Sequence, residues 1–133
     1  NKAGILVSKK TESGYYRLWI DGRLYMRHRL AWLYVHGEFP RGQIDHINGI
    51  RDDNRIANLR DATPAINAQN TRGPRRDSST GLRGVVWSKR ERKYLAHLFV
   101  NKRARYLGRF ETAESAYAAY LTAKRELHPG CTI

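Results

Sequence analysis

The sequence predicts an α+β fold made of two small units. Three observations predict it: two alternating aromatic-rich runs around an Asp-Gly pair, a strand-turn stretch that leads into a Thr-Pro helix start, and three further strand-like runs followed by one amphipathic helix. The chain has 133 residues, enough for one ordinary domain or two small ones. Apolar residues make up 41% of it, which is sufficient for compact cores.

The N-terminal part predicts a hairpin followed by a short helix. Asp21-Gly22 lies within YYRLWIDGRLYMR and favours a type I′ turn, because both central positions need a positive φ. HRLAWLYVHGEFP then predicts a helix that ends at Gly37, since glycine readily adopts the left-handed conformation at a helix C-terminus. The predicted apolar face of this helix consists of Leu30, Ala31, Leu33, Tyr34 and Val35.

The next stretch, QIDHINGIRDDNRIANLRDATPAINAQN, predicts a ββα arrangement. Gln43 to Ile47 is expected to form a strand and Asn48-Gly49 a turn. An irregular return follows, and Thr63 and Pro64 suit the N-cap and the first position of a second helix. The core of this arrangement spans about residues 42–70.

The C-terminal part predicts a separate unit. Residues 73–81 are the predicted linker, because residues 71–81 contain no apolar residue and are rich in Gly, Pro, Ser and Arg. Strands are expected near 84–88, 93–100 and 103–110, followed by a helix capped by Thr112 and ended by Pro129-Gly130. Alternation in the middle strand predicts one face towards the helix (Ala96, Leu98, Val100) and one away from it (Leu95, His97, Phe99).

The charge balance indicates a polyanionic partner. The formal charge is +13, divided into +4 for residues 1–70 and +9 for residues 71–133. Nucleic acid is favoured over a membrane surface, and no apolar run approaches the roughly 20 residues of a membrane span. The single cysteine, Cys131, excludes an intramolecular disulfide and a Cys-based zinc cluster. An intracellular, soluble protein is expected.

The stretch around Asp45 and His46 has the residue types that phosphodiester hydrolysis requires. The reaction needs an activated water, relief of charge on the phosphate and assistance for the departing 3′ oxygen. A neutral histidine can accept a proton from water. A hard cation such as Mg²⁺ prefers oxygen ligands, which Asp and Asn side chains supply. The pattern therefore predicts a site with one carboxylate, one imidazole and side-chain amides.

Residues 28–70, HRLAWLYVHGEFPRGQIDHINGIRDDNRIANLRDATPAINAQN, resemble an HNH endonuclease of the kind found in phages and mobile introns. The family motif is an acidic or His residue, a His, an Asn about a dozen residues later, and a final His or Asn on a helix. The resemblance implies a ββα-metal core in which Asp45 and Asn67 hold the metal. It further implies that His46 is the general base and that Asn58 braces the loop carrying the histidine. The implied ion is Mg²⁺, with Mn²⁺ as the alternative.

Other interpretations of these residues stay open. Asn48-Gly49 alone is typical of a turn, and Asn54 and Asn58 could be loop residues. Asp52 and Asp53 are alternative ligands, but the neighbouring arginines favour loop salt bridges. Since adjacent strand residues point to opposite faces, Asp45 and His46 can serve one phosphate only if a bulge or the strand's end lies near Asp45. A regular ladder through both residues would count against the assignment.

Residues 79–127 resemble the Apetala-type, or ethylene-response-factor, DNA-binding domain. The resemblance is carried by RGV at 83–85, YLAHL, RYLGRF and TAESAYAAY. That family packs a three-stranded antiparallel sheet on one helix and places the sheet in the major groove. Here the outer face of the middle strand is less polar than in the plant family. The predicted DNA contacts are Arg83, Trp87, Lys89, Arg90, Arg92, Lys93, Arg103 and Tyr106.

Together these patterns predict a metal-dependent endonuclease of double-stranded DNA in a bacterial or phage-infected cytoplasm. The nuclease domain would span residues 1–72 and the DNA-binding domain residues 82–133. Both a monomer and a homodimer remain open. The alternatives are a non-catalytic sequence-specific DNA-binding protein and an RNA-binding protein, since basic sheets with aromatic residues also bind RNA.

Overall fold

The structure, a computed structural model, describes residues 8–133 and has the predicted α+β fold. The chain divides into two compact units, Asn1–Ala68 and Gln69–Ile133. Among the described residues, no helix is long and apolar enough to cross a membrane.

The first unit begins with a three-stranded antiparallel sheet of order β1-β2-β3. Its strands are β1 (Ser8–Lys10), β2 (Tyr16–Ile20) and β3 (Arg23–Met26). The Asp-Gly turn is confirmed, since Asp21 has φ 46° and Gly22 φ 76°. Strand β1 is an addition to the predicted hairpin, because three exposed residues leave no alternation for the sequence to display.

Helix α1 (Arg27–His36) ends as predicted at Gly37, whose φ is 77° and whose N–H donates to the Leu33 carbonyl. The predicted apolar face is wrong at Tyr34 and Val35, which are 91% and 54% exposed. The buried residue of the helix is His28. Periodicity identifies an apolar stripe, but it does not tell whether a neighbouring element covers that stripe along its whole length.

The predicted ββα arrangement follows. Strand β4 (Gln43–His46) pairs antiparallel with β5 (Leu59–Ala62), and helix α2 spans Pro64–Gln69. The return is more regular than expected, because a 3-10 turn at Ile56–Asn58 leads directly into β5. The predicted N-cap is confirmed by a hydrogen bond from Ile66 N to Thr63 Oγ1, 3.3 Å.

The second unit contains one antiparallel sheet and one helix. Its elements are β6 (Val85–Ser88), β7 (Lys93–Val100), β8 (Arg103–Phe110) and α3 (Ala113–Leu127). They match the three predicted strands and the predicted helix, and Thr112 caps the helix by accepting a hydrogen bond from Ser115 N. Residues 70–81 contain neither helix nor strand, although the Thr71 carbonyl accepts a hydrogen bond from the buried Lys124 Nζ.

The core of the second unit lies between the sheet and α3. Ala96 and Leu98 are buried, as the alternation in the middle strand predicted, and Tyr120 of α3 is buried as well. A β-bulge interrupts the pairing of β7 with β8, where Ala96 faces Gly108 but His97 faces Tyr106. The additional residue, Leu107, packs against the core, while Tyr106 stays on the outer face of the sheet.

Candidate active site

Several polar side chains are buried in the described part of the first unit. His28, Asp45, His46 and Asn58 are all buried, next to the apolar residues Ile44, Leu59 and Ala62. Buried Asp, His and Asn residues are uncommon, and each requires partners to offset the loss of water. This concentration at the end of β4 and the start of β5 marks the candidate site.

His46, the last residue of β4, lies in a group of rings. Its ring centroid is 5.3 Å from that of His28, at 84° between the planes, and 5.9 Å from that of Tyr15. His46 Nε2 is 2.9 Å from Asn54 Oδ1. With Nε2 as the donor in this pair, the lone pair of the neutral ring is on Nδ1, which is then the atom that can accept a proton.

His28 packs against this ring without carrying a charge at neutral pH. Burial, together with the smaller effect of the nearby positive charges of His46 and Arg29, lowers the pKa of His28 from 6.5 to about 4. Its Nδ1 is buried and has no hydrogen-bond partner among the described residues. His28 is thus a structural neighbour of His46.

Asn58 links the two ends of the loop that follows His46. Its Oδ1 accepts a hydrogen bond from Asn48 N at 2.9 Å. Its Nδ2 donates to Asn48 Oδ1 at 2.9 Å and to the Asp53 carbonyl at 2.8 Å. The expected bracing role of Asn58 stays a prediction, and these three bonds are the contacts through which it would act.

Asp45 points to the opposite face of the β4–β5 ladder from His46. It lies directly across from Arg60, whose Nε and Nη2 both contact Asp45 Oδ2, at 2.7 and 2.6 Å. The Asp45 carboxylate is buried and Arg60 is 28% exposed. The first predicted metal ligand therefore already lies against a cation of the chain itself.

Asn67 lies on the Asp45 side of the ladder. Its Nδ2 donates to Gln43 Oε1 at 2.7 Å, and Gln43 is two residues before Asp45 on the same face of β4. Because Nδ2 is engaged, Asn67 Oδ1 is the atom that could serve as a ligand. The structure thus brings Asp45 and Asn67 to one face and places His46 on the other.

The ladder through this site is regular. Asp45 pairs with Arg60 and His46 with Leu59, with no bulge between them. This regularity counts against one phosphate being served by both side chains, as the sequence argument specified. The alternative condition, that the strand ends near Asp45, is met, because β4 ends at His46. The chain turns immediately afterwards, with Gly49 N donating to the His46 carbonyl.

The donor set suits a hard divalent cation held by few protein atoms. The described residues include no cluster of three or more His, Cys, Asp or Glu that could hold a metal. Mg²⁺, however, commonly keeps several waters and takes only one or two carboxylates together with substrate phosphates. A buried carboxylate and an amide oxygen on one face of β4 fit this manner of binding.

Sequence reasoning gave too little weight to Asn54 and did not consider Arg60. A loop role is one open interpretation of Asn54, and in the structure its side chain contacts His46 Nε2. Its spacing of eight residues after the histidine gave no signal by itself. Asp53 forms the expected salt bridge with a neighbouring arginine, Arg55, whereas Asp52 pairs with Lys10 of β1. The Arg55 guanidinium holds the pKa of Asp53 well below its usual range.

The predicted DNA contacts of the second unit include residues at both ends of its sheet. Lys89, Arg90 and Arg92 are exposed at the β6–β7 end of the sheet, whereas Arg103 is exposed at the β7–β8 end. Trp87, which is half exposed, packs against Tyr94 with ring centroids 4.7 Å apart.

The remaining predicted DNA contacts differ in which residues of the second unit they contact. Tyr106 is exposed on the outer face, next to His97. Lys93 pairs with Glu111. Arg83 donates from Nη1 to the Gly73 carbonyl at 3.1 Å. All eight assignments stay predictions.

Comparison with known proteins agrees with the location of this site. A family described as HNH endonuclease matches residues 25–69, which include Asp45, His46, Asn58 and Asn67. Protein 3.8 of Escherichia phage T7 is 32% identical to this chain over 103 residues, which are 77% of this chain and 84% of that protein. No solved structure matches the chain.

Proposed function

Because this chain belongs to the HNH endonuclease family, we propose that it is a metal-dependent endonuclease that hydrolyses phosphodiester bonds of double-stranded DNA. The observation that carries the proposal is the ββα order of β4, β5 and α2. Asp45 and His46 lie at the end of the first strand, Asn58 immediately before the second, and Asn67 on the helix.

His46 is the proposed general base. Its Nδ1 would take a proton from the attacking water, while Asn54 Oδ1 holds the hydrogen on Nε2 and so keeps the ring in the required tautomer. Asn58 would fix the loop between His46 and Asn54 through its bonds to Asn48 and Asp53. In-line attack on the phosphate would leave a 5′ phosphate and a 3′ hydroxyl.

Asp45 and Asn67 are the proposed ligands of Mg²⁺ or Mn²⁺. A divalent ion bound there supplies positive charge to the phosphate oxygens and to the departing 3′ oxygen. Asp45 would contribute a carboxylate oxygen and Asn67 its Oδ1. Gln43 would orient the Asn67 amide by accepting its Nδ2 hydrogen.

The second unit is proposed to bind DNA. Its share of the chain carries a charge of +9, and the exposed cluster at Lys89, Arg90 and Arg92 can contact phosphates. Binding of this unit would raise the local concentration of DNA at a weakly binding catalytic unit. Phosphate contacts position a protein on DNA, whereas contacts to base edges specify sequence.

Supercoiled plasmid tests the proposal. Wild type with Mg²⁺ or Mn²⁺ should nick or linearise the plasmid, whereas His46→Ala and Asp45→Asn should not. The matched controls are His36→Ala and Asp77→Asn, which remove the same groups from exposed positions and should cut as wild type does. End mapping should find 5′ phosphates and 3′ hydroxyls.

A non-catalytic DNA-binding protein is the second candidate. The regular ladder favours it, because Asp45 and His46 point to opposite faces. If wild type shifts DNA in a gel but leaves the plasmid intact with every divalent ion, this candidate replaces the nuclease. Competition between duplex DNA and RNA at fixed salt tests the RNA-binding alternative in the same preparation.

A further inference from the structure

Arg60 makes a close ion pair with the proposed metal ligand. Two of its nitrogens contact Asp45 Oδ2, at 2.7 and 2.6 Å, and the register of β4 with β5 places the two residues directly across from each other. Another close arginine pair among the described residues of this unit, Arg55 with Asp53, lies in the loop, where the Arg55 side chain is 80% exposed. The Asp45–Arg60 pair is the shielded one, and the pairing of the strands fixes its position.

The charge of Arg60 opposes a second cation at the same carboxylate. A unit and a double positive charge about 5 Å apart repel substantially at the effective dielectric of about 20 that suits such sites. Water screens a buried pair less than a surface pair. A divalent ion must therefore displace the guanidinium from Asp45 or bind against its repulsion, and either requirement weakens binding.

We propose that Arg60 guards Asp45 against divalent ions until DNA is bound. This inference rests on the proposed function, in which Asp45 is a metal ligand. Once an ion takes the carboxylate, the largely shielded guanidinium loses its ion pair with Asp45, and that loss is costly. The DNA phosphate that enters the site supplies a new anion for it. Metal loading and DNA binding then favour each other, because the phosphate stabilises both the ion and the displaced arginine.

Arg60→Gln and Arg60→Lys form the matched pair that tests the proposal. Both lose the guanidinium fork, but only Arg60→Gln loses the charge. Mn²⁺ binding to the full chain without DNA, measured by calorimetry, should be at least about tenfold tighter for Arg60→Gln than for wild type. Arg60→Lys should stay within about threefold of wild type. Arg109→Gln, in the second unit, controls for the change in net charge and should bind as wild type does.

A second measurement addresses the coupling to DNA. A short duplex in Ca²⁺-free buffer should tighten Mn²⁺ binding to wild type by a larger factor than binding to Arg60→Gln. Circular dichroism and thermal melting of each variant verify that it is folded.

Equal Mn²⁺ affinity of Arg60→Gln and Arg60→Lys would overturn the proposal. Weaker binding by both variants would also overturn it, since Arg60 would then orient the carboxylate rather than guard it. Failure of the proposed function gives a different result. If Asp45→Asn binds Mn²⁺ as well as wild type does, Asp45 is not a ligand, and the metal site itself is assigned wrongly.

Discussion

Acidification should destabilise the first unit through His28. Its pKa is about 4 in the folded protein and 6.5 when unperturbed, because folding buries the ring beside His46 and Arg29. Below pH 6.5 the unfolded chain binds a proton at His28 that the folded chain does not bind. The free energy of unfolding therefore falls as the pH is lowered from about 7 towards 4, and the loss is complete below the folded pKa.

The size of the effect follows from the two pKa values. Between pH 7.5 and pH 5, linkage gives a loss of about 2 kcal/mol from this one group, out of a maximum of about 3 kcal/mol. Other groups of the chain also titrate over part of this range, so the contribution of His28 has to be separated from theirs. His28→Phe provides the separation, because it keeps a ring beside Tyr15 and His46 and removes the titrating group.

Urea unfolding followed by tryptophan fluorescence measures this contribution. Trp87 is replaced by Phe in both proteins, so that the remaining tryptophans, Trp19 and Trp32, report on the first unit only. The free energy of unfolding should fall by about 2 kcal/mol more in the His28 protein than in His28→Phe between pH 7.5 and pH 5. Equal losses in the two proteins would refute the reasoning.

Three further predictions concern the loop, the second core and DNA binding. Asn58→Ala should lower the free energy of unfolding by about 1–3 kcal/mol and reduce plasmid cleavage, because Asn48 and Asp53 lose their bonds to the amide. Urea titration measures the first effect and the plasmid assay the second. Unchanged stability would contradict the bracing role. Gly84→Ala should lower the stability of the second unit by about 2 kcal/mol or more in thermal melts, because a Cβ there would meet Tyr120 and the His97 carbonyl. Gly81 also has a positive φ but has open space around it, so Gly81→Ala should lower the stability clearly less than Gly84→Ala does. An equal loss of stability in the two variants would show that the close approach of Tyr120 to Gly84 is unimportant. Arg103→Gln should reduce the slope of log affinity against log salt by about 0.9 if Arg103 contacts one phosphate, and an unchanged slope would remove it from the interface.

The second unit could be predicted closely from its sequence, because its signals are local. Strand alternation fixed which side of β7 meets the helix, and Ala96 and Leu98 are buried accordingly. Thr112 predicted the start of α3, because its side chain can cap a helix N-terminus. The bulge at Leu107 could not be predicted, because it depends on how β8 fits against β7 and the core rather than on any residue of β8 alone.

The candidate site was predicted in its residues but not in its geometry. Order and spacing singled out Asp45, His46, Asn58 and Asn67, and all four lie in the ββα segment. Spacing could not predict that Asn54 rather than Asn58 contacts the His46 ring, since both follow it in one loop. It also could not predict the ion pair of Arg60 with Asp45. The two residues are fifteen positions apart in sequence, and their pairing depends on the register of β4 with β5.

The sequence by itself determined the α+β class and most of the strand and helix order, because propensity, capping and alternation act over a few neighbouring residues. It also supplied the candidate side chains of the site. Only the tertiary structure decided which face each of these side chains occupies and which cation lies against the carboxylate. Those outcomes depend on strand register and burial, which arise when segments distant in the sequence pack together and exclude water.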